Sequence, residues 1–196
     1  MSRAGRSLPW LAGAAALAFL AASAPATTLI ALNDDQLIDQ STLIVTGSCA
    51  KVRHEWRQGM LLTLATIRVD RVLKGKAGSE VTLMIPGGID FERKVPVAVT
   101  FPGAPTVLPD ERVLLFLEPA GTGPGEMAVT GFSQGKLSIL EAADGTPMVR
   151  RDLAGVSLAK GHRLQAGGKR AMPLALMEER IARRIGPRGG REKDGN

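Results

Sequence analysis

The chain contains one cysteine, Cys49, and two histidines, His54 and His162, which narrows the chemistry its side chains can perform. A lone cysteine makes neither an internal disulfide nor a cysteine zinc cluster, and two histidines leave little room for a metal site. No metal and no cofactor are expected. Cys49 follows Ser48 and lies between Val45 and Val52 in a β-branched, apolar run, a setting that buries a thiol rather than activating it. His54, five positions on, points to the opposite face in regular strand geometry, which argues against a Cys/His pair. Gly131-Phe-Ser-Gln-Gly135 has the spelling of a G-x-S-x-G nucleophile elbow centred on Ser133. That elbow needs a helix after the serine, whereas Lys136 to Leu140 reads as a strand, so a β-turn is the better reading. The acid pairs Asp34-Asp35 and Asp110-Glu111 lack the alternating ligand spacing of a calcium loop and suit a helix start and a turn. Gly121-Thr-Gly-Pro-Gly125 has neither the lysine nor the following helix of a phosphate loop. His162 stands in a Gly-flanked polar segment with no partner near it. No catalytic residue is assigned.

Recognition has better material. Glu55-Trp56-Arg57 reads as a hairpin end carrying an amphipathic Trp56. Between Gly87 and Pro109 the chain has Pro96, Pro102, Pro105 and Pro109 and no clean period. Connections longer than roughly 12–15 residues are uncommon in compact domains unless they do something. Within this one, Val95, Val97, Val99 and Phe101 alternate and leave one apolar row. That row either covers an open barrel end or docks a partner, since long loops on rigid scaffolds often carry recognition. Trp56, Val95, Val97, Val99 and Phe101 are the candidate partner-binding residues.

The elements that must position them follow from period and turn signals. Asn33 with Gln36 three residues later forms a capping-box pattern and starts a short helix over 34–40, with Leu37 and Ile38 turned inward. Residues 43–52 read as a buried strand with a bulge at Gly47. Gln58-Gly59 is a turn signal, and 60–73 is the returning strand. Lys74 to Ser79 closes the next hairpin, and 80–85 is a third strand that stops at Pro86. Arg112-Val-Leu-Leu-Phe-Leu117 is a continuous apolar run suited to a central strand. Strands over 127–131 and 136–140 follow. Residues 141–171 are polar, Gly-rich and hard to assign. Pro173 opens a last helix, 173–185, with Leu174, Met177, Ile181 and Ile185 on one face and Arg180, Arg183 and Arg184 on the other. Short strands in hairpin order with helices only at the ends argue for a mainly β chain, a small antiparallel barrel or sandwich.

Compartment and charge complete the picture. Arg3 and Arg6, an apolar run over 8–22, and the small residues Ala24 and Ala26 lay out a secretory signal peptide over 1–26, with cleavage before Thr27. The alternative is an uncleaved membrane anchor, against which the run is shorter than the roughly 20 residues that span a bilayer. A single domain over 27–186 and a disordered basic tail over 187–196 follow. The net charge of +6 is unevenly spread: from Lys160 onward there are ten basic and four acidic residues, whereas 27–159 holds 13 and 15. Aromatics are 4% of the chain and the basic excess sits in a Gly-rich tail, so no nucleic-acid face is expected.

Particular spellings go further. Ser41-Thr-Leu-Ile-Val-Thr-Gly47, Ile67-Arg-Val-Asp-Arg-Val-Leu-Lys-Gly75 and Val81-Thr-Leu-Met-Ile-Pro-Gly-Gly88 resemble a group of uncharacterised secreted bacterial proteins. Phe101-Pro-Gly-Ala-Pro105, Glu111-Arg-Val-Leu-Leu-Phe-Leu117 and Gly131-Phe-Ser-Gln-Gly-Lys136 match the same group. More distantly, an apolar strand entering a Gly and a strand ending Val-Leu-Lys-Gly resemble the netrin-like and tissue-inhibitor-of-metalloproteinase domains. That resemblance implies an OB-type barrel. It does not carry over those inhibitors' zinc chelation, which uses an N-terminal cysteine, because Thr27 begins the expected mature chain and Cys49 lies inside a strand. The resulting expectation is an exported, non-enzymatic binding module, periplasmic or extracellular, that recognises a secreted protein such as a protease and has no stable membrane anchor. Two alternatives stay open: a hydrolase using Ser133 or Cys49, told apart by whether either has a base within hydrogen-bond reach, and an envelope-associated structural protein whose basic tail touches acidic surfaces.

Overall fold

The computed structural model of the chain describes residues 27–121, 123 and 125–186. The expected signal peptide and basic tail lie outside the described residues. In chain order the elements are β1 (Thr27–Ile30), α1 (Asp34–Gln40), β2 (Leu43–Arg57), β3 (Met60–Lys74), β4 (Glu80–Pro86), β5 (Gly88–Asp90), β6 (Val97–Val99), β7 (Arg112–Pro119) and β8 (Glu126–Val129). A 3₁₀ turn (Phe132–Gly135) leads to β9 (Lys136–Glu141), β10 (Pro147–Asp152), β11 (Val156–Lys160), β12 (Arg163–Ala166), β13 (Lys169–Pro173) and α2 (Leu174–Ile185). The protein is mainly β, with both helices of the described residues near the ends of the fold.

The largest sheet runs β13-β10-β9-β7-β2-β3-β4-β8, and β7 also pairs with β8. β2, β3, β4, β8 and β7 therefore close into a ring. The closure is possible because β7 divides its second edge: Val113–Leu115 pair with β9, and Leu117–Pro119 pair with β8. One expectation needs correcting here. The ring is not wholly antiparallel, since β4 and β8 run parallel at Thr82↔Glu126 and Leu83↔Met127. A parallel pair cannot be joined by a tight hairpin, and the long 87–111 connection with β7 provides the crossover.

The apolar run of β7 is explained by two cores. Val113, Leu115 and Leu117 point into the ring with Val45, Cys49, Ile67 and Leu83. Leu114 and Phe116 point outward, where Leu37 and Ile38 of α1 and Met177 and Ile181 of α2 cover them. A strand covered on both faces reads as continuous rather than alternating. α1 forms as the capping box requires: Asn33 Oδ1 accepts from Gln36 N at 2.8 Å, and Gln36 Oε1 accepts from Asn33 N at 2.9 Å. α2 begins at Leu174, with Pro173 as its cap residue, and Ile185 at its end is exposed.

β2 departs from regular pairing with β3 in three places, including Thr46/Gly47, as expected, and Cys49/Lys51. A Cβ at Gly47 would lie 2.2 Å from the Arg68 carbonyl oxygen, so only glycine fits where the two strands approach. The second irregularity overturns an expectation. The extra residue, Ala50, restarts the alternation, so Val52 packs against the same core cluster as Cys49. His54, two residues beyond Val52, is then on the Cys49 side of the strand rather than opposite to it. The 141–171 stretch folds into β10, most of its length pairing with β9 and β13, and into β11 and β12, which form a second sheet with β1.

Candidate functional site

The 87–109 connection leaves the ring at Pro86, makes a two-stranded hairpin from β5 and β6, and returns to the ring through Val107. Val107, 5% exposed, is the residue that enters the ring core, with Ala104 packed beside it. The alternating row does not do this. Val97 and Val99 are half-buried, Val95 is 71% exposed and Phe101 37%. Covering the core and presenting an apolar surface are thus divided between two halves of one connection.

The hairpin is fastened to β2 and β3 by a short polar network. Thr63 Oγ1 donates to the Gly87 carbonyl at 2.7 Å and lies 3.0 Å from His54 Nδ1. A hydroxyl has one proton, so Thr63 Oγ1 accepts at the second contact and His54 Nδ1 donates there. Gly88 packs against this pair with φ +151°, and a Cβ there would lie 2.5 Å from His54 Nδ1. At the hairpin tip Trp56 Nε1 donates to Asp90 Oδ2 at 2.6 Å, and the Arg93 guanidinium lies 4.8 Å above the indole ring. The Trp56 hydrogen bond, with backbone and Arg93 contacts, holds the Asp90 carboxyl below the usual carboxylate range. Trp56 is 40% exposed, with its polar edge occupied by the hairpin.

Between the hairpin and the 100–109 segment runs an apolar groove of about 570 Å³. Buried Ile85 and Val107 form its floor with half-buried Val52, and Val99, Phe101 and Leu108 form its more exposed walls. The groove therefore brings together Val99 and Phe101 of the expected set. Val95, Val97 and Trp56 do not line it. Sequence reasoning missed Val107, His54 and Asp90. Val107 sits between Pro105 and Pro109 with no apolar period around it, and regular strand geometry puts His54 on the wrong face because it does not contain the Ala50 bulge. The Trp56–Asp90 contact spans 34 residues and leaves no local signal.

The loop is also latched from behind. Glu111 Oε1 accepts from Ser138 Oγ at 2.7 Å and from Lys136 Nζ, while Oε2 accepts from Leu108 N at 3.0 Å. Burial works against the Glu111 charge, but the Lys136 and Ser138 hydrogen bonds outweigh it and hold the carboxyl below its usual range.

The two nucleophile candidates lack the partner that chemistry needs. Cys49 is buried in the ring core, its Sγ donates to the Lys51 carbonyl at 3.7 Å, and burial pushes its thiol up. Ser133 Oγ is buried with no hydrogen-bond partner, in a 3₁₀ turn followed by β9 rather than a helix. Among the described residues neither has a base within hydrogen-bond reach. Among the described residues no three His, Cys, Asp or Glu side chains gather as a metal site, and no helix is long and apolar enough to cross a membrane. A scan against protein-family models finds no match for the chain, and a search of the curated proteins finds none either.

Proposed function

We propose that the protein is an exported, non-enzymatic binding module on an OB-type barrel, whose groove takes an extended apolar segment of a secreted protein such as a protease. The barrel reading draws support from the ring itself. An OB-fold is a five-stranded, partly open Greek-key barrel, and the ring of β2, β3, β4, β8 and β7 has three hairpin-ordered strands followed by a crossover. The observation that carries the binding reading is the groove between the hairpin and Val107, apolar on its floor and walls. An extended occupant is favoured because β6 borders the groove and pairs only with β5 among the described residues. Its outer edge offers main-chain donors and acceptors, while Val99, Phe101 and Leu108 offer contacts to alternate side chains.

The test uses Phe101→Ser combined with Leu108→Ser, both on the exposed wall. A secreted partner captured by the wild type should be lost by this variant while the melting temperature changes little. Partner addition should also protect the amides of β6 from hydrogen exchange. Retained capture by the double variant, or no protection in β6, would overturn the docking role.

A further inference from the structure

A second cavity lies where β1, β11 and β12 approach β10. It measures about 210 Å³ and is lined by Arg151, Arg170 and Lys160 with Gln134, Gln165 and Leu158 among its neighbours. Its described lining residues include no carboxylate. Gln134 is occupied elsewhere: its Oε1 accepts from Leu32 N at 2.8 Å and its Nε2 donates to the Ile30 carbonyl at 2.9 Å, which pins β1 over the cavity.

Arg151 is the unusual residue. Its side chain is 13% exposed, and Nη1 donates to Asp34 Oδ1 at 2.9 Å. Nε and Nη2 are buried and have no acceptor among the described residues. Those two nitrogens form one edge of the planar guanidinium, the fork that binds a carboxylate or phosphate through two parallel hydrogen bonds. A buried donor without an acceptor is costly, and a buried charge more so.

The strand register adds an independent observation. Arg151 of β10 stands directly opposite Arg170 of β13. Like charges opposite each other in a sheet are destabilising. Arg170 and Lys160 make no ion pair among the described residues, and Asp34 is shared between Arg151 and Arg180. A water molecule could accept from one donor, but it would leave Arg170 and Lys160 without a counter-charge. A small anion does both.

We propose that this cavity binds a compact oxyanion, a carboxylate or phosphate group held between Arg170, Lys160 and the unpartnered edge of Arg151, whose charge it neutralises together with theirs. The site is independent of the apolar groove, with which it shares no lining residue.

The experiment is calorimetric titration of the full chain with inorganic phosphate and, separately, with succinate, at an ionic strength held constant with chloride. Saturable binding of one or both probes is expected, together with a rise in melting temperature. Which probe binds assigns the oxyanion class. Arg170→Gln removes an exposed cation without touching the Asp34 pair, and should weaken binding about tenfold or more while leaving the probe-free melting temperature equal or higher. Arg151→Lys keeps a cation beside Asp34 but loses the fork, and should weaken binding by a similar factor. No saturable binding of either probe up to about 10 mM, or binding unchanged by either substitution, would overturn the proposal.

Discussion

Val107→Ala is the most direct test of how the 87–109 connection is divided. Val107 is 5% exposed and belongs to the ring core, so the substitution removes two methyl groups from a packed site. At about 0.8 kcal/mol per buried methylene, the transfer contribution is about 1.6 kcal/mol. A cavity of about 50 Å³, at roughly 24 cal/mol per Å³, adds about 1 kcal/mol if the site does not collapse. The expected cost is therefore about 2–3 kcal/mol. In a domain of this size each kcal/mol lowers Tm by about 2–4 °C, which places the variant about 5–10 °C below wild type. Val95→Ala is the matched control. It removes the same two methyl groups from a residue 71% exposed in the same connection, and should stay within about 0.5 kcal/mol of wild type. Both are read by thermal melting followed by circular dichroism. Equal melting temperatures for the two variants would refute the assignment of Val107, rather than the alternating row, as the residue that closes the ring core.

Three further outcomes are expected. Glu111 has its folded-state pKa lowered, so its contribution to stability is present above the unfolded carboxylate value of about 4.3 and is lost as pH falls through the lower folded value; urea melts below pH 5 should show a shallower loss with acid for Glu111→Gln than for wild type, and equal slopes would discount the latch. Cys49, buried with a raised thiol pKa, should react slowly with a thiol reagent in the native protein, and Cys49→Ala should cost about 1 kcal/mol or more; fast labelling without denaturant would reverse its assignment to packing. Gly88→Ala should push the hairpin off His54 and Thr63 and free the Trp56 ring; in a chain lacking residues 1–26, Trp56 is the only tryptophan, so its fluorescence should shift to the red, and an unchanged spectrum would rule out the fastening.

Local signals carried most of the ring. The capping box of Asn33 and Gln36, the Gln58-Gly59 turn and the double-faced run of β7 are each written within a few residues and appear where expected, while the irregularity expected at Gly47 has its extra residue, Asp70, on the facing strand β3. What stayed illegible depends on contacts far apart in the chain. The parallel β4–β8 pair is set by a crossover of about forty residues, whose pairing cost is not visible in either strand. The polar strands β10 to β13 show weak alternation because their exposed faces carry arginines, lysines and glycines, so their pairing depends on β9 and β1 rather than on their own pattern. The candidate site divided in the same way. Val99 and Phe101 were legible as an apolar row, but the groove they border is completed by Val52 and Ile85 from distant strands.

Both candidate sites occur where the chain departs from the ring, and the physical reason is the same in each. The ring strands spend their side chains on two apolar clusters, and β7 spends both of its faces. A strand with both faces committed has nothing left to recognise with. The surfaces proposed for recognition are accordingly built largely from what is attached: the β5–β6 hairpin between β4 and β7, and the β10–β13 extension beyond β9. The hairpin contributes apolar surface held by a few polar ties, and the extension contributes cations held in register. Because Phe101 and Arg170 belong to neither core cluster, a change at either should act on the proposed binding with little effect on folding, whereas Val107, which belongs to both the connection and the core, should act mainly on folding.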